Sequence, residues 1–149
     1  MAKYAPPSIW TDEYNKPSIE DLRKFALNDA KKAFDKAQTK ILALDNVTTE
    51  VKWYGECWFW TVAFMSDFTD EPLAVMIPAF EDLQLAAPLT HDFIEQLSTR
   101  RLKRFVRDGI ELAMPPHRTE WAVWSIPSNA AVEDVLPVIK SKQKYYTPE

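Results

Sequence analysis

Between Val47 and Ile126 apolar residues recur with the two-residue period of strands, and in two places they occupy both sides of the alternation. One is the run from Trp53 to Phe64, the other Trp121-Ala122-Val123-Trp124-Ser125-Ile126, and together they hold five of the six tryptophans. A strand covered on one face alternates apolar with polar. Apolarity on both faces demands a second cover, a partner or a ligand.

The rest of the chain fits around these strands. Residues 1–17 mix Pro6, Pro7 and Pro17 with Tyr4, Ile9, Trp10 and Tyr14, too broken for a helix and too aromatic for a solvated tail, so an arm lying on the body is expected. Residues 18–149 read as one domain. Ser18 suits an N-cap, Glu20 and Asp21 suit the first turn, and Leu22, Phe25, Ala26, Ala30, Ala33, Ala37, Ile41 and Leu44 form one stripe. This predicts a helix over 19–44, about 39 Å long, with Asn28-Asp29 as the place where it would bend. Val47–Tyr54 alternates as an amphipathic strand. A turn at Gly55-Glu56 then leads into an aromatic strand ending near Met65.

Further strands are predicted at Leu73–Ile77, stopped by Pro78, and at Leu83–Leu85. Thr90 caps a helix from His91, with Leu89 and Ile94 as a hydrophobic staple. The pattern runs through Leu102, Phe105 and Val106 to Gly109, as two helices or one bent one. Trp121–Ile126 is the last strand, and Pro127-Ser128-Asn129 opens a final helix. Asp134 as an N-cap would put Pro137 in a first turn, where its missing amide has no partner to lose. Helix, meander, helix, strand, helix predicts an α+β fold: a two-layer sandwich of mainly antiparallel sheet with helices on one face.

At Lys52-Trp53-Tyr54-Gly55 followed by Trp58-Phe59-Trp60, and again at Trp121 to Pro127 before Glu133-Asp134-Val135, the chain resembles a bacterial group of small uncharacterised domains that are frataxin-like in fold. The resemblance spans roughly Val47 to Lys144. It implies a frataxin-like sandwich, carries no catalytic residue, and brings iron binding or delivery as an alternative function. Frataxin-like iron chaperones use an acidic ridge on the first helix and adjoining strand. Here that helix interleaves Asp29 and Asp35 with Lys31, Lys32, Lys36 and Lys40.

Composition narrows the function classes. With 149 residues the chain can build a core without staples, and a formal charge of −4 gives no global attraction to nucleic acid or anionic membrane. Cys57 is the only cysteine, which forbids an internal disulfide and points to the cytoplasm. The N-terminus lacks the apolar stretch of a signal peptide, and no apolar run approaches the roughly 20 residues of a membrane span. Two glycines beside eleven prolines leave no glycine-rich phosphate loop.

Candidate chemistry is sparse. Trp53, Trp58, Trp60, Trp121 and Trp124 are placed to line a pocket for an apolar ligand, with Lys52, Tyr54 and Arg118 orienting it. Competing readings are plain core packing, a cover supplied by the arm through Trp10 and Tyr14, and a homodimer face. On a helical wheel Arg100, Lys103, Arg104 and Arg107 fall within roughly a 100° arc, opposite Leu102, Phe105 and Val106. That basic stripe is either a solvated face or a site for an acidic partner or nucleic acid, the second being the less expected of those partners. His117-x-x-Glu120 is the sole metal-like spacing and falls short of three or four ligands, so neither metal nor cofactor is expected. Cys57 reads as a packed, inert thiol, and Asp67, Asp70 and Glu71 as turn residues. The residues therefore describe a non-enzymatic domain whose aromatic sheet face engages a small apolar molecule or a protein partner.

Overall fold

The computed structural model describes residues 9–26, 28–79, 82–113 and 120–148, without the side chains of 56, 57, 79 and 82. Strands β1 (Val47–Trp53), β2 (Trp60–Ser66), β3 (Pro72–Ala79), β4 (Asp82–Pro88) and β5 (Trp121–Ser125) form one antiparallel sheet in sequence order. The fold is α+β, as the residue pattern predicts. β3 and β4 are longer than expected, and Pro78 does not end β3: it pairs with Leu83. The ladder between β2 and β3 reaches only to Met76, so Pro78 lies past the pairing with β2, where a missing amide costs no bond of that ladder.

Register assigns each side chain to a face. Val51, Val62, Met76, Leu85 and Trp124 share one row across the sheet. Strand residues of that parity join the helices in the main core. The opposite parity places Ala63, Val75 and Ala86 in a second, smaller cluster on the reverse face.

The first predicted helix is two. α1 (Ile19–Phe25) has Ser18 as N-cap in a reciprocal capping box with Asp21, and α2 (Asp29–Leu42) starts after Asn28, whose φ of 56° breaks the helical path. A carboxamide side chain tolerates that left-handed geometry better than most. α2 buries Ala30, Ala33, Ala37 and Ile41 of the predicted stripe, and also Phe34, which that stripe does not include. Arg23 bridges the two helices through paired bonds to Asp35. α3 (Gly55–Trp58) is a single turn where a simple turn and continuing strand are expected.

α4 (His91–Gln96) is capped by Thr90, whose hydroxyl accepts from the Phe93 amide at 3.2 Å. α5 (Arg104–Leu112) is a separate helix that passes through Gly109 instead of ending there. α6 (Asn129–Tyr146) is continuous and capped by Ser128, so Asp134 is not an N-cap and Pro137 stands in the helix interior. Pro137 is exposed, and its ring faces away from the buried stripe of Val132, Val135, Leu136 and Ile139. Glu133 ties α6 to α2 through Lys36 at 3.2 Å.

Candidate functional site

The reverse face of the sheet carries small side chains in its middle, Ala63, Val75 and Ala86, beside Thr61 and Ile77, and all five are buried. Trp10, Tyr54, Trp58, Met65 and Trp121 pack over that cluster. Small residues beneath let flat rings lie close, so aromatic side chains cover this part of the reverse face.

Three of the covering rings form a triad. Trp58 meets Trp121 edge-on at 4.9 Å, and Tyr54 lies 5.7 Å from Trp58 and 5.9 Å from Trp121. The single turn of α3 swings Trp58 off the strand path and over the sheet. Two backbone positions serve this placement: Phe59, just after Trp58, has φ 56°, and Glu120, just before Trp121, has φ 66°. Neither is a glycine or an asparagine, and such left-handed residues cost on the order of 1–3 kcal/mol each, held by the surrounding packing. Burial, with a smaller contribution from the Glu50 carboxylate, pushes the Tyr54 hydroxyl above its ordinary pKa.

The arm is docked at the start of β2. The Trp10 indole donates to Trp58 O at 3.0 Å, the Trp60 indole to Asp12 O at 2.7 Å, and the Trp60 amide to Trp10 O at 3.2 Å. Trp10 thus covers part of the second face as the arm reading expects, whereas Tyr14 is 91% exposed and covers nothing. Tyr4 lies outside the described residues.

Beyond Trp121 a cavity of about 820 Å³ opens at the end of the sheet, where β3 begins, β4 ends and α4 starts. Trp121, Pro88, Leu89, Ile94 and Ala113 supply its apolar wall, and Glu71, Thr90, His91 and Glu120 its polar groups. Its size falls within the range of small-molecule sites. Behind this wall lies Lys142, 1% exposed, donating to Pro88 O at 2.6 Å, Pro72 O at 2.8 Å and Leu73 O at 3.3 Å, with Glu71 Oε1 at 3.4 Å. Burial lowers its ammonium to about 8, and Glu71 opposes part of that fall. Tyr146 donates to Glu71 Oε1 at 2.8 Å, and burial, then Glu71, raises its hydroxyl to about 12. Next to it, Gln143 clamps the same end of the sheet at β1 and β2, donating to Asp45 O and accepting from Ser66 Oγ, both at 2.6 Å.

The expected ligand set divides. Trp58, Trp121 and Tyr54 are together on the reverse face, half-buried. Trp60 and Trp124 are buried with the helices, and Trp53 packs on that same side 5.3 Å from Trp60. They are core residues and not a binding surface, because alternation sends them to the opposite face from Trp121. Lys52 is half-buried beside Thr61, whose hydroxyl donates to Lys52 O. Arg118 and His117 lie outside the described residues, as does the Cys57 side chain. Arg100, Lys103, Arg104 and Arg107 are all exposed, but only Arg104 and Arg107 are within α5; Arg100 precedes it in a turn and Lys103 is its N-cap, so no single helical arc holds the four.

Glu71, read from sequence as a turn residue, is instead the acceptor for Lys142 and Tyr146. Lys142 and Gln143 continue the apolar stripe of α6 past Val138 and Ile139, and that placement of polar residues on a buried face was the signal for both. Among the described residues no group of three or more His, Cys, Asp or Glu is placed to hold a metal ion, and no helix is long and apolar enough to cross a membrane. No family model matches the chain, and no curated protein or solved structure is significantly similar to it.

Proposed function

We propose that this chain is a two-layer, frataxin-like binding domain that admits a small apolar molecule to the cavity bounded by Trp121. The observation that carries this reading is the 820 Å³ space itself, with an indole, two prolines and aliphatic side chains for walls and a few polar groups at its margin. Trp121 links it to the aromatic layer: one indole both lines the cavity and packs edge-on against Trp58. The strained backbone at Glu120 supports the same reading, since it sets the orientation of the wall residue that follows. Titration with the neutral dye Nile red tests it. A saturable 1:1 rise in emission is expected, weakened roughly tenfold or more when Ala113→Phe fills the space; an unchanged titration in that variant refutes the cavity as the site.

A second reading rests on the basic segment. Lys103 and Arg104 stand at the N-terminus of α5, which has no acid in its first turn, where the helix dipole disfavours cations. With Arg100, Arg101 and Arg107 exposed nearby, this surface suits an acidic protein partner. Capture of a polyglutamate peptide that survives 0.5 M salt unchanged would refute an electrostatic contact.

A further inference from the structure

The cavity's polar groups are unequal in kind. The three protons of the Lys142 ammonium have backbone carbonyl oxygens of Pro72, Leu73 and Pro88 as partners, so this cation has no donor left for a guest. The Thr90 hydroxyl is bonded to Tyr146, Tyr146 in turn donates to Glu71, and His91 Nε2 is bonded to Glu95 at 2.9 Å. What the described side chains of the wall offer to a guest is therefore acceptors: the carboxylate of Glu71, whose charge Lys142 balances at 3.4 Å, and the carboxylate of Glu120, which adds one further negative charge. The described contacts of Glu71 from Lys142 and Tyr146 both converge on Oε1. Beside these carboxylates stands the Trp121 ring, which gives the cavity an apolar wall.

Resting on the cavity as the binding site, we propose that its ligand is a cationic amphiphile, an amine or quaternary ammonium compound whose apolar body lies along Trp121, Leu89 and Ile94 and whose head is held by Glu71 and Glu120. An anionic head of the same length meets two carboxylates and side-chain donors that already have partners. A neutral alcohol gains the apolar contacts without the charge.

Calorimetric titration of the full chain compares decyltrimethylammonium, decanol and decyl sulfate, each below its micelle concentration, with Ala113→Phe as the control that assigns heat to the cavity. The ammonium compound is expected to bind roughly tenfold or more tightly than the sulfate at this site, with decanol between. Glu120→Gln, at an exposed position, should shrink the preference several-fold and leave decanol binding unchanged. Equal or tighter sulfate binding that Ala113→Phe abolishes would overturn the charge preference while leaving the cavity as a binding site. Loss of none of the three ligands in Ala113→Phe, or binding of none to the unmodified chain, would overturn the cavity reading and this inference with it.

Discussion

Trp124 lies directly over Gly109: a Cβ at residue 109 would stand 2.7 Å from Trp124 Cδ1 and closer still to its Nε1. The indole sits there because its N–H donates to Val106 O at 3.0 Å, three residues earlier on α5. A glycine in mid-helix is explained by that close approach of the β5 ring to the helix backbone.

Gly109→Ala should therefore destabilise the domain by about 1–3 kcal/mol, although alanine at an open helical site would gain about 1 kcal/mol. The sign reports on the ring. In a Trp124→Leu background the same change should become neutral or stabilising. Urea midpoints of the four proteins close the cycle, and a stabilised single variant would mean the ring has room to move.

Two members of the predicted helical stripe differ in depth. Ile41 is fully buried on α2, so Ile41→Ala should cost about 2–5 kcal/mol. Phe25 is half-buried at the end of α1 and meets Trp10 at 5.9 Å, so Phe25→Ala should cost less than Ile41→Ala despite removing more atoms. Equal losses in denaturant curves would place Phe25 deeper than it lies.

Strand period and caps were legible because they are local. Ser18 and Thr90 cap as read, whereas the last helix is capped by Ser128 and not by Asp134; the doubled apolarity near Trp58 and Trp121 correctly demanded cover on the reverse face. The identity of that cover was not legible. It depends on one turn of helix at Gly55–Trp58 folding an indole back across the sheet, a choice made by tertiary packing over Ala63 and Ala86. Pro137 misled for a related reason: an exposed position lets a long, well-buried helix absorb the loss of one bond, so the proline does not mark an end. The cavity was invisible because its wall is assembled from Glu71, Pro88, Ile94, Ala113 and Trp121, five separated stretches with no shared spacing.

Removal of the arm's anchor should be felt at the first residue of β2. Trp10→Ala loses the bond to Trp58 O and ring contact with Phe59 at 4.8 Å, and a cost of about 2–4 kcal/mol is expected for a half-buried indole. Hydrogen exchange locates the effect. The Trp60 amide, which donates to Trp10 O, should lose protection well before amides in the middle of β3. Unchanged protection at Trp60 would mean the arm is not docked in solution.

Lys142→Met keeps the length of the side chain and removes the donor to three buried carbonyls. Orphaned acceptors and the lost charge-assisted bonds outweigh relief from burying an ammonium, so a loss of roughly 2–4 kcal/mol is expected at pH 7. Glu71 keeps its bond from Tyr146 in that variant. Thermal or urea unfolding checks the loss, and a variant as stable as the parent would mean those carbonyls find water.

The same lysine sets a pH dependence whose sign is opposite to that of a paired surface cation. Its ammonium is lowered in the folded state to about 8 from the ordinary 10.5. Below pH 8 both states hold the proton and the folded state bears the full cost of burying it. Between 8 and 10.5 the folded state releases the proton while the unfolded chain keeps it, so the unfolded state binds more protons and stability rises with pH, by roughly 3 kcal/mol in all. Tyr146 acts in the other direction. Raised to about 12 from 10.0, it keeps its proton in the folded state while the unfolded chain loses it, so stability falls between pH 10 and 12. The two contributions should produce a maximum near about pH 10. Subtracting the urea-unfolding profile of Lys142→Met from that of the parent isolates the lysine: the difference should grow in the parent's favour from pH 8 to 10.5 and then level off. A difference that is flat across this window would mean that Lys142 titrates in the folded protein as it does in the unfolded chain, and that water reaches its ammonium behind the cavity wall.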